Sequence, residues 1–340
     1  MVKAVIMAGG QGTRLKAVSG DTPKPMVSLL GRPMLEHIVF LLKEEGFEDI
    51  CITLRYRAQE IKDYFGSGRK FGVSIEYRTE DTPLGTAGGV KNCRDFYGGE
   101  DFLVISGDAA CDFRLSSLAA RHRKEDAAIT MALHKNPNPL SYGLTVTDER
   151  GFVRSFIEKP DWPRVVSDTV NTGIYVVSPR AMELVPEDRE YDFAKELFPL
   201  LLKKGEKIAG LVMDGYWCDV GSPLSYYRCC VDALEGRLRL KMGDEFSRAA
   251  GMHTEQEQDE GGLICSCRSR AALMAALSQA FLELGADYSD GIRVQGANYH
   301  MHIAPLASRS AVRIKVDSPD AEFAGRLAFS AKELADAFGL

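Results

Sequence analysis

Short apolar runs and helical stripes alternate along the first two thirds of the chain. Val2 to Ala8 reads as a buried strand that empties into a run of glycines. Gly31-Arg32-Pro33 is expected to open a helix, with Pro33 suited to its first turn. Leu35, Ile38, Val39 and Leu42 follow the i, i+3, i+4, i+7 spacing of a core-facing stripe, and Gly46 reads as the stop. Ile50 to Leu54, Val73 to Tyr77 and Phe102 to Ser106 read as further strands. Strand–helix alternation of this kind predicts an α/β domain with a mostly parallel sheet covered by helices. In such sheets ligands bind beyond the strands' C-terminal ends. The glycine loop after Ala8 and the Ser106-Gly107-Asp108 segment both fall there.

The pattern changes near Gly236. Residues 237–262 are polar and weakly periodic, and Glu255-Gln256-Glu257-Gln258-Asp259-Glu260 reads as a solvated linker. Order resumes with a strand from Leu263 to Cys267 and a helix from about Arg270 to Leu284. Ile292 to Val294, Tyr299 to Ile303 and Ala311 to Val316 read as strands. A last helix is expected after Ser318-Pro319, taken as N-cap and first turn, with Phe323, Leu327, Leu334 and Phe338 on its apolar positions. The expected organisation is a domain at 1–236, a linker at 237–262 and a small α+β domain at 263–340.

A length of 340 residues suits two domains, and the net charge of −6 leaves no electrostatic footprint for nucleic acid. The apolar stretch from Ala4 to Ala8 is too short for a secretory segment or a membrane span, so no membrane role is expected. The eight cysteines form no C-x-x-C pair, and a reducing cytoplasm is the simplest setting.

The chemistry concentrates at the N-terminus. Ala8-Gly9-Gly10-Gln11-Gly12-Thr13-Arg14 is followed by Thr22-Pro23-Lys24-Pro25. Glycines let backbone N–H groups approach a phosphate closely, and two cations can neutralise charge building on phosphorus. A Walker loop needs G-x-x-x-x-G-K-[ST] and a dinucleotide fingerprint needs G-x-G-x-x-G. Neither is present here. Three glycines after a strand also form ordinary turns, and Arg14 with the Pro-Lys-Pro segment is what points to a nucleoside triphosphate.

At these residues the chain resembles the sugar-1-phosphate nucleotidyltransferases, whose signature is G-G-x-G-T-R-L followed by P-K-P. The resemblance runs through about residues 1 to 235. It continues in Leu84-Gly85-Thr86-Ala87-Gly88, Ser106-Gly107-Asp108, Tyr142-Gly143, Glu158-Lys159-Pro160, Asn171-Thr172-Gly173-Ile174-Tyr175 and Trp217-Cys218-Asp219-Val220-Gly221. It is strongest toward the mannose-1-phosphate guanylyltransferases. The resemblance implies a Rossmann-like sheet and a reaction in which a sugar-1-phosphate oxygen attacks a nucleotide α-phosphorus and pyrophosphate leaves. Two polyanions must meet, so positioning and charge neutralisation dominate. Arg14 is then expected to hold the triphosphate, and Lys24 to sit near the reacting phosphates. Asp108 and Asp219 are the expected Mg²⁺ carboxylates, since Mg²⁺ takes one or two carboxylates plus water and phosphate oxygens. Ala8, Gly9, Gly10, Gly12, Thr13, Glu80, Gly85, Thr86 and Gly107 are the expected nucleotide contacts. Gly143, Glu158, Lys159, Asn171 and Thr172 are expected at the sugar phosphate. Taken singly, Ser-Gly-Asp and Glu-Lys-Pro are ordinary turns, and Tyr142 and Tyr175 read as packing.

Base choice can be read from Glu80. Guanine presents two adjacent donors, N1–H and the 2-amino group, which a carboxylate accepts as a bidentate pair. Uracil and thymine present one donor beside a carbonyl, which suits an amide. Glu80 therefore argues for GTP; the alternative is a solvated loop acid. Mannose-1-phosphate is the expected acceptor, with a manno-heptose-1-phosphate, or another NTP and hexose-1-phosphate pair, as the competing reading. A relative that senses nucleotide sugars without turnover is the rival of another class. Retention of Arg14, Lys24, Asp108 and Asp219 argues for an enzyme. The reading admits a homo-oligomer.

Residues 263 to 340 resemble a different family, the C-terminal domain of phosphomannomutases and phosphoglucomutases, in Asp290-Gly291-Ile292-Arg293-Val294 and Val312-Arg313-Ile314-Lys315-Val316. That family's R-P-S-G-T-E-P loop is replaced here by Ala304-Pro305-Leu306-Ala307-Ser308-Arg309-Ser310. No phosphoserine loop and no D-G-D loop occur, so mutase chemistry is not expected. Cys265-x-Cys267 and His300-x-His302 would make a zinc set only if their strands paired. Alternation on a mixed surface is the expected reading.

Overall fold

The computed structural model describes residues 3–10, 15, 22–136, 139–241, 243, 262–266, 273–274, 277–278, 281, 286–288, 291–306 and 311–337. The chain divides into two compact units. The first comprises Met1–Gly10, Ile38–Gly107 and Asp112–Trp217; the second comprises Gln11–His37, Asp108–Cys111 and Cys218–Leu340.

The first unit is built on a nine-stranded sheet: β1 (Lys3–Met7), β2 (Asp49–Leu54), β3 (Ser74–Thr79), β4 (Phe102–Ser106), β5 (Ile129–Lys135), β6 (Gly143–Thr147), β7 (Val153–Glu158), β8 (Thr169–Val177) and β9 (Ile208–Val212). The order β7-β6-β8-β4-β1-β2-β3 places β1 at the centre, and β5 joins β8 to β9. β1 is parallel to β2 and β4, and β2 is parallel to β3. Ala4, Val5 and Ile6 are fully buried, as a central parallel strand covered on both faces requires. This half follows the expected alternation. The other half is mixed: β8 runs against β4 and β5, and β6 against β7, while β9 is parallel to β5. The sequence pattern showed motifs in this stretch but none of these five strands; β6, β7 and β8 mix buried with half-exposed positions instead of forming a short apolar run.

Two local expectations are corrected. Arg32 and Pro33 pair with Ser28 and Leu29 in a short ladder, and the helix, α1 (Met34–Glu44), begins one residue beyond Pro33. Tertiary pairing of the dipeptide overrides the proline's suitability for a first turn. The last helix, α3 (Ala321–Ala337), is capped by Asp320, whose Oδ1 accepts the Phe323 N–H at 3.0 Å, rather than by Ser318. The Ser318 hydroxyl instead accepts the Asp320 N–H at 3.3 Å.

The second unit gathers the Ser28–Leu29 and Arg32–Pro33 ladder, Ala109–Cys111 with Cys218 and Asp219 of the short strand that pairs with it, helix α2 (Pro223–Leu234) and a C-terminal sheet. That sheet is antiparallel and comprises β10 (Leu263–Ser266), β11 (Ile292–Gln295), β12 (His300–Pro305) and β13 (Ala311–Asp317) in the order β10-β13-β12-β11. α3 packs on β13, β10 and α2. Its buried apolar side chains are Ala324, Leu327, Ala328, Ala331, Leu334 and Ala335; Phe323 is half-buried and Phe338 lies outside the described residues. Small residues let the helix lie close to the sheet. Leu273, Leu277 and Phe281, four apart, are helical and buried. The Phe281 ring meets the Tyr227 ring of α2 edge-on at 5.0 Å, and the Tyr227 and Tyr299 hydroxyls share a hydrogen bond of 3.0 Å. Ser28 Oγ donates to Glu333 of α3 at 2.8 Å, so the segment after Pro25 is tied to the last helix.

The strands of Cys265 and His300 are not neighbours, because β13 lies between them. Cys265 is buried with its Sγ 2.9 Å from Asp336, whereas His300 and His302 stand opposite Asp317 and Lys315. The zinc set fails on that separation; Cys267 lies outside the described residues. Among the described residues no helix is long and apolar enough to cross a membrane.

Candidate active site

In the first unit β1, β2, β3 and β4 all end at one edge of the sheet. Met7 and Ser106 are register partners, so the segments that follow them leave side by side. The Gly107 N–H donates to Met7 O at 2.8 Å. A methyl group on Gly107 would stand 2.9 Å from that oxygen, so glycine is needed for the close approach. Ala8 is buried and its N–H donates to Thr53 O at 3.1 Å. Gly9 and Gly10 follow at the surface. Gly12, Thr13, Arg14 and the rest of the glycine loop lie outside the described residues.

Glu80 directly follows β3 at the same edge, held by its N–H to Leu54 O at 2.8 Å. Its carboxylate turns back over Gly9: a methyl there would sit 3.4 Å from Oε1, and one on Gly89 only 2.5 Å from it. The side chain is half-buried and accepts the Leu84 N–H at 3.3 Å. Burial raises its pKa, opposed by the Leu84 N–H and the Arg55 charge.

Gly85 and Thr86 open the helix Gly85–Lys91. Gly85 has φ +71°, and a side chain there would meet Tyr191 O at 2.7 Å. The Ala87 and Gly88 N–H groups donate to that same oxygen. Thr86 Oγ1 donates to Asp192 Oδ2 at 2.8 Å and accepts the Phe193 N–H at 2.9 Å. The Thr86 hydroxyl is therefore engaged within the protein. Asp192 also caps the wide turn Phe193–Leu197 through Ala194 and Lys195, and Glu196 reaches back to the Asp192 N–H at 2.8 Å. Sequence reasoning missed this clasp. Its trace was there, an acid after a tyrosine with a glutamate four residues on. A capping box has that glutamate at the third position, and the wider turn moves it by one.

The residues expected at the sugar phosphate lie on β6, β7 and β8 of the same unit, with Lys159 directly after β7. Gly143 and Glu158 are register partners at the end of the β6–β7 hairpin. A methyl on Gly143 would lie 2.9 Å from Glu158 Oε2 and inside the Phe156 ring, so glycine is what lets the carboxylate fold over β6. Burial raises the Glu158 pKa; Lys159 and Lys195 pull it down and Asp192 pushes it up. Lys159 is exposed, takes φ +45°, and donates its N–H to Tyr142 O at 3.0 Å. Asn171 sits where the β8–β5 register shifts: its amide donates to the Tyr175 hydroxyl at 2.8 Å, and its oxygen accepts the Gly173 N–H at 3.1 Å. Gly173, at φ +76°, supplies the turn. Thr172 points the other way. It is buried, its hydroxyl donates to Ala132 O at 2.7 Å, and its carbonyl accepts the Trp217 indole N–H at 3.2 Å.

In the second unit Lys24, Asp108 and Asp219 meet. Lys24 starts the short helical turn Lys24–Met26, and its side chain is only 8% exposed. The Met26 N–H donates to Pro23 O at 2.7 Å, which closes the turn. The Lys24 ammonium stands 2.7 Å from Asp108 Oδ2 and 3.4 Å from Asp219 Oδ1. Asp108 immediately precedes the short strand Ala109–Cys111 and Asp219 ends the strand that pairs with it, and the Val220 N–H donates to Asp108 O at 3.3 Å. Two carboxylates from segments 111 residues apart thus converge on one positive charge. Two carboxylates are within the number that a cation of the Mg²⁺ type takes from protein, its shell being filled elsewhere by water and phosphate oxygens.

Residues 3–236 match the family of nucleotidyl transferases. The chain is 34% identical over 251 residues to the UTP–glucose-1-phosphate uridylyltransferase of Synechocystis sp., covering 70% of this chain and 65% of that protein. It is 35% identical over 236 residues to the mannose-1-phosphate guanylyltransferase of Mycobacterium tuberculosis, covering 69% and 65%. The chain thus spans just under two thirds of the length of these two relatives. The crystal structure of HddC from Yersinia pseudotuberculosis complexed with GMP-PN superimposes with a TM-score of 0.59 at 31% identity, over 68% of this chain and 98% of that one. With the match covering more than half of its length, the chain belongs to the nucleotidyl transferase family.

Proposed function

We propose that this chain transfers the guanylyl group of GTP to a sugar-1-phosphate, with mannose-1-phosphate as the acceptor. The observation that carries the reading is the Glu80 carboxylate turned over Gly9, at the start of the glycine run, with one oxygen toward Gly9 and the other accepting the Leu84 N–H. Guanine is the base that supplies two adjacent donors to it. The guanylyltransferase among the relatives and the GMP-PN complex of HddC agree with this, while the uridylyltransferase among the relatives makes UTP the competitor.

In the reaction an oxygen of the sugar-1-phosphate forms a bond to the α-phosphorus, the bond to the β-phosphate oxygen breaks, and pyrophosphate leaves. Lys24 neutralises charge at the phosphates, and Arg14 holds the triphosphate. The sugar hydroxyls fall to Glu158 and Asn171, the phosphate of the acceptor to Lys159. Gly143 leaves room for the ring. Asp108 and Asp219 would hold Mg²⁺, which when bound supplies further charge neutralisation on the phosphates. No side chain has to move a proton, because the attacking phosphate oxygen is already anionic; the work is orientation and electrostatics.

The test is a panel of GTP, UTP, dTTP and ATP against mannose-1-phosphate, a manno-heptose-1-phosphate and glucose-1-phosphate, scored by pyrophosphate release with Mg²⁺. GTP with mannose-1-phosphate should be fastest. Preference for UTP would overturn the base assignment, and preference for the heptose phosphate would overturn the acceptor. Binding without turnover for every pair would replace the enzyme by a nucleotide-sugar sensor.

A further inference from the structure

Among the described residues four large apolar side chains are exposed, and two of them, Trp162 (60%) and Val166 (68%), lie on one loop. This loop joins β7 to β8. It begins immediately after Glu158 and ends at Asp168, three residues before Asn171, so both of its ends adjoin residues assigned to the sugar. We propose that Trp162 is the ring platform of the sugar-1-phosphate pocket, binding the C–H face of a pyranose. The inference rests on the sugar-1-phosphate reading and deepens it.

Three observations support it. First, the pocket residues named so far, Glu158, Lys159 and Asn171, present only charge and amide groups. A pyranose has an edge of hydroxyls but also an apolar face, and sites for such ligands combine a few placed polar groups with aromatic surface. Second, the loop is short and held. Lys159 N–H donates to Tyr142 O at 3.0 Å, and Asn136 N–H to Asp168 O at 2.8 Å. Pro160 and Pro163 flank Trp162 at two positions and one, and the turn Trp162–Arg164 is closed by Val165 N–H to Trp162 O at 3.1 Å. Arg164 Nε donates to Asp161 at 2.6 Å. Three residues of chain from Lys159 cannot carry Trp162 further than about 11 Å from it. Third, Lys159 is held at φ +45°, a conformation that costs a residue with a side chain about 1 kcal/mol or more and is concentrated at ligand clamps. The bend it makes turns the chain sharply at the point where the polar pocket ends and the tryptophan segment starts.

The chain has two tryptophans, and the other, Trp217, is buried with its indole bonded to Thr172 O. Emission changes can therefore be assigned. Sugar-1-phosphates are titrated into the full chain with Mg²⁺ and a non-hydrolysable GTP analogue, and emission is read in wild type and Trp162→Phe. A blue shift in wild type that is absent in Trp162→Phe is expected. In steady state Trp162→Ala should raise the sugar-1-phosphate KM about tenfold or more, with GTP KM within about twofold, and Trp162→Phe should recover most of the loss, since the lost contact is a few aromatic packing interactions. An unmoved sugar-1-phosphate KM in Trp162→Ala overturns the proposal, as does an equal rise in both KM values. A change of mass by light scattering with unaltered kinetics overturns it too, and makes the patch a contact between copies. If no pair in the panel turns over while Trp162 emission still answers a hexose-1-phosphate, the transferase reading falls and the platform stands. Silence in both measurements removes both.

Discussion

The Lys24 ammonium stands 2.7 Å from the Asp108 carboxylate, with Asp219 completing the arrangement at 3.4 Å. A nearly buried ammonium between two partly exposed carboxylates is held by both, and removing one leaves charge poorly compensated. Asp108→Asn should therefore cut turnover at least about 100-fold, equivalent to about 2.7 kcal/mol of transition-state stabilisation. Thermal stability should fall only modestly, because Asp108 remains 36% exposed and screened by water. Pyrophosphate release and a melting curve on the same preparation check both halves; near-normal turnover would remove Asp108 from the reacting centre.

Glu80 links base choice to stability. Glu80→Gln replaces a double acceptor with an acceptor and a donor, so the GTP:UTP ratio of kcat/KM should drop by about 10- to 100-fold, the range for a lost charge-assisted hydrogen bond. The raised pKa fixes the sign of the stability effect. Ionising Glu80 costs the folded state, a cost absent below the ordinary carboxylate range and fully present above the raised value. Glu80→Gln should thus leave the melting temperature unchanged or higher at neutral pH, with the difference vanishing as pH falls through that range. A clear loss of stability at pH 7, or unchanged GTP selectivity, would contradict the assignment.

Gly143 has no room for a side chain between Phe156 and Glu158. Gly143→Ala should displace one or the other, costing about 1–3 kcal/mol of stability by overpacking. Because Glu158 is one of the two groups displaced, the sugar-1-phosphate KM should rise more than the GTP KM. Equal effects on the two substrates would argue that the glycine serves packing alone.

His122 is buried on helix Leu115–Glu125, with Nδ1 2.9 Å from Thr130 Oγ1 and Nε2 3.0 Å from Ser178 Oγ. Burial lowers its pKa, with Arg180 acting in the same direction and Asp101 and Asp126 opposing. Burial lowers the pKa of His37 and His134 as well. A depressed histidine pKa means the unfolded chain binds more protons than the fold. Stability should then be full above the ordinary histidine value of about 6.5 and fall as pH drops below it. His122→Gln should flatten that slope in melting temperature between about pH 7 and pH 5. An identical slope in the variant would assign it to other groups.

The strands of the parallel half of the first unit were legible to within one or two residues at each end. Phe102 to Ser106 is the strand observed, and the alternation of Val2 to Ala8 with α1 already placed the glycine loop and Ser106-Gly107-Asp108 at one edge. Local pattern carries that information because β1, β2 and β4 are buried as nearly continuous apolar runs. The mixed half was not legible. Val153–Glu158 and Thr169–Val177 mix buried and half-exposed positions, and their partners are set by tertiary packing. The cap of α3 was misplaced for a related reason, since Ser318 and Asp320 both suit the role and backbone geometry chooses between them.

By itself the sequence determined which chemistry is available: a carboxylate at 108 and another at 219, a lysine between prolines at 24, and an acid at 80 after a strand. Residue type and order in the chain suffice for that. The tertiary structure decided what each group faces. It brought Lys24 against Asp108 and Asp219, folded Glu80 over Gly9, turned Thr172 into the sheet and engaged Thr86 with Asp192. These outcomes depend on strand register and on where a missing Cβ leaves space, and both are settled only when distant segments pack.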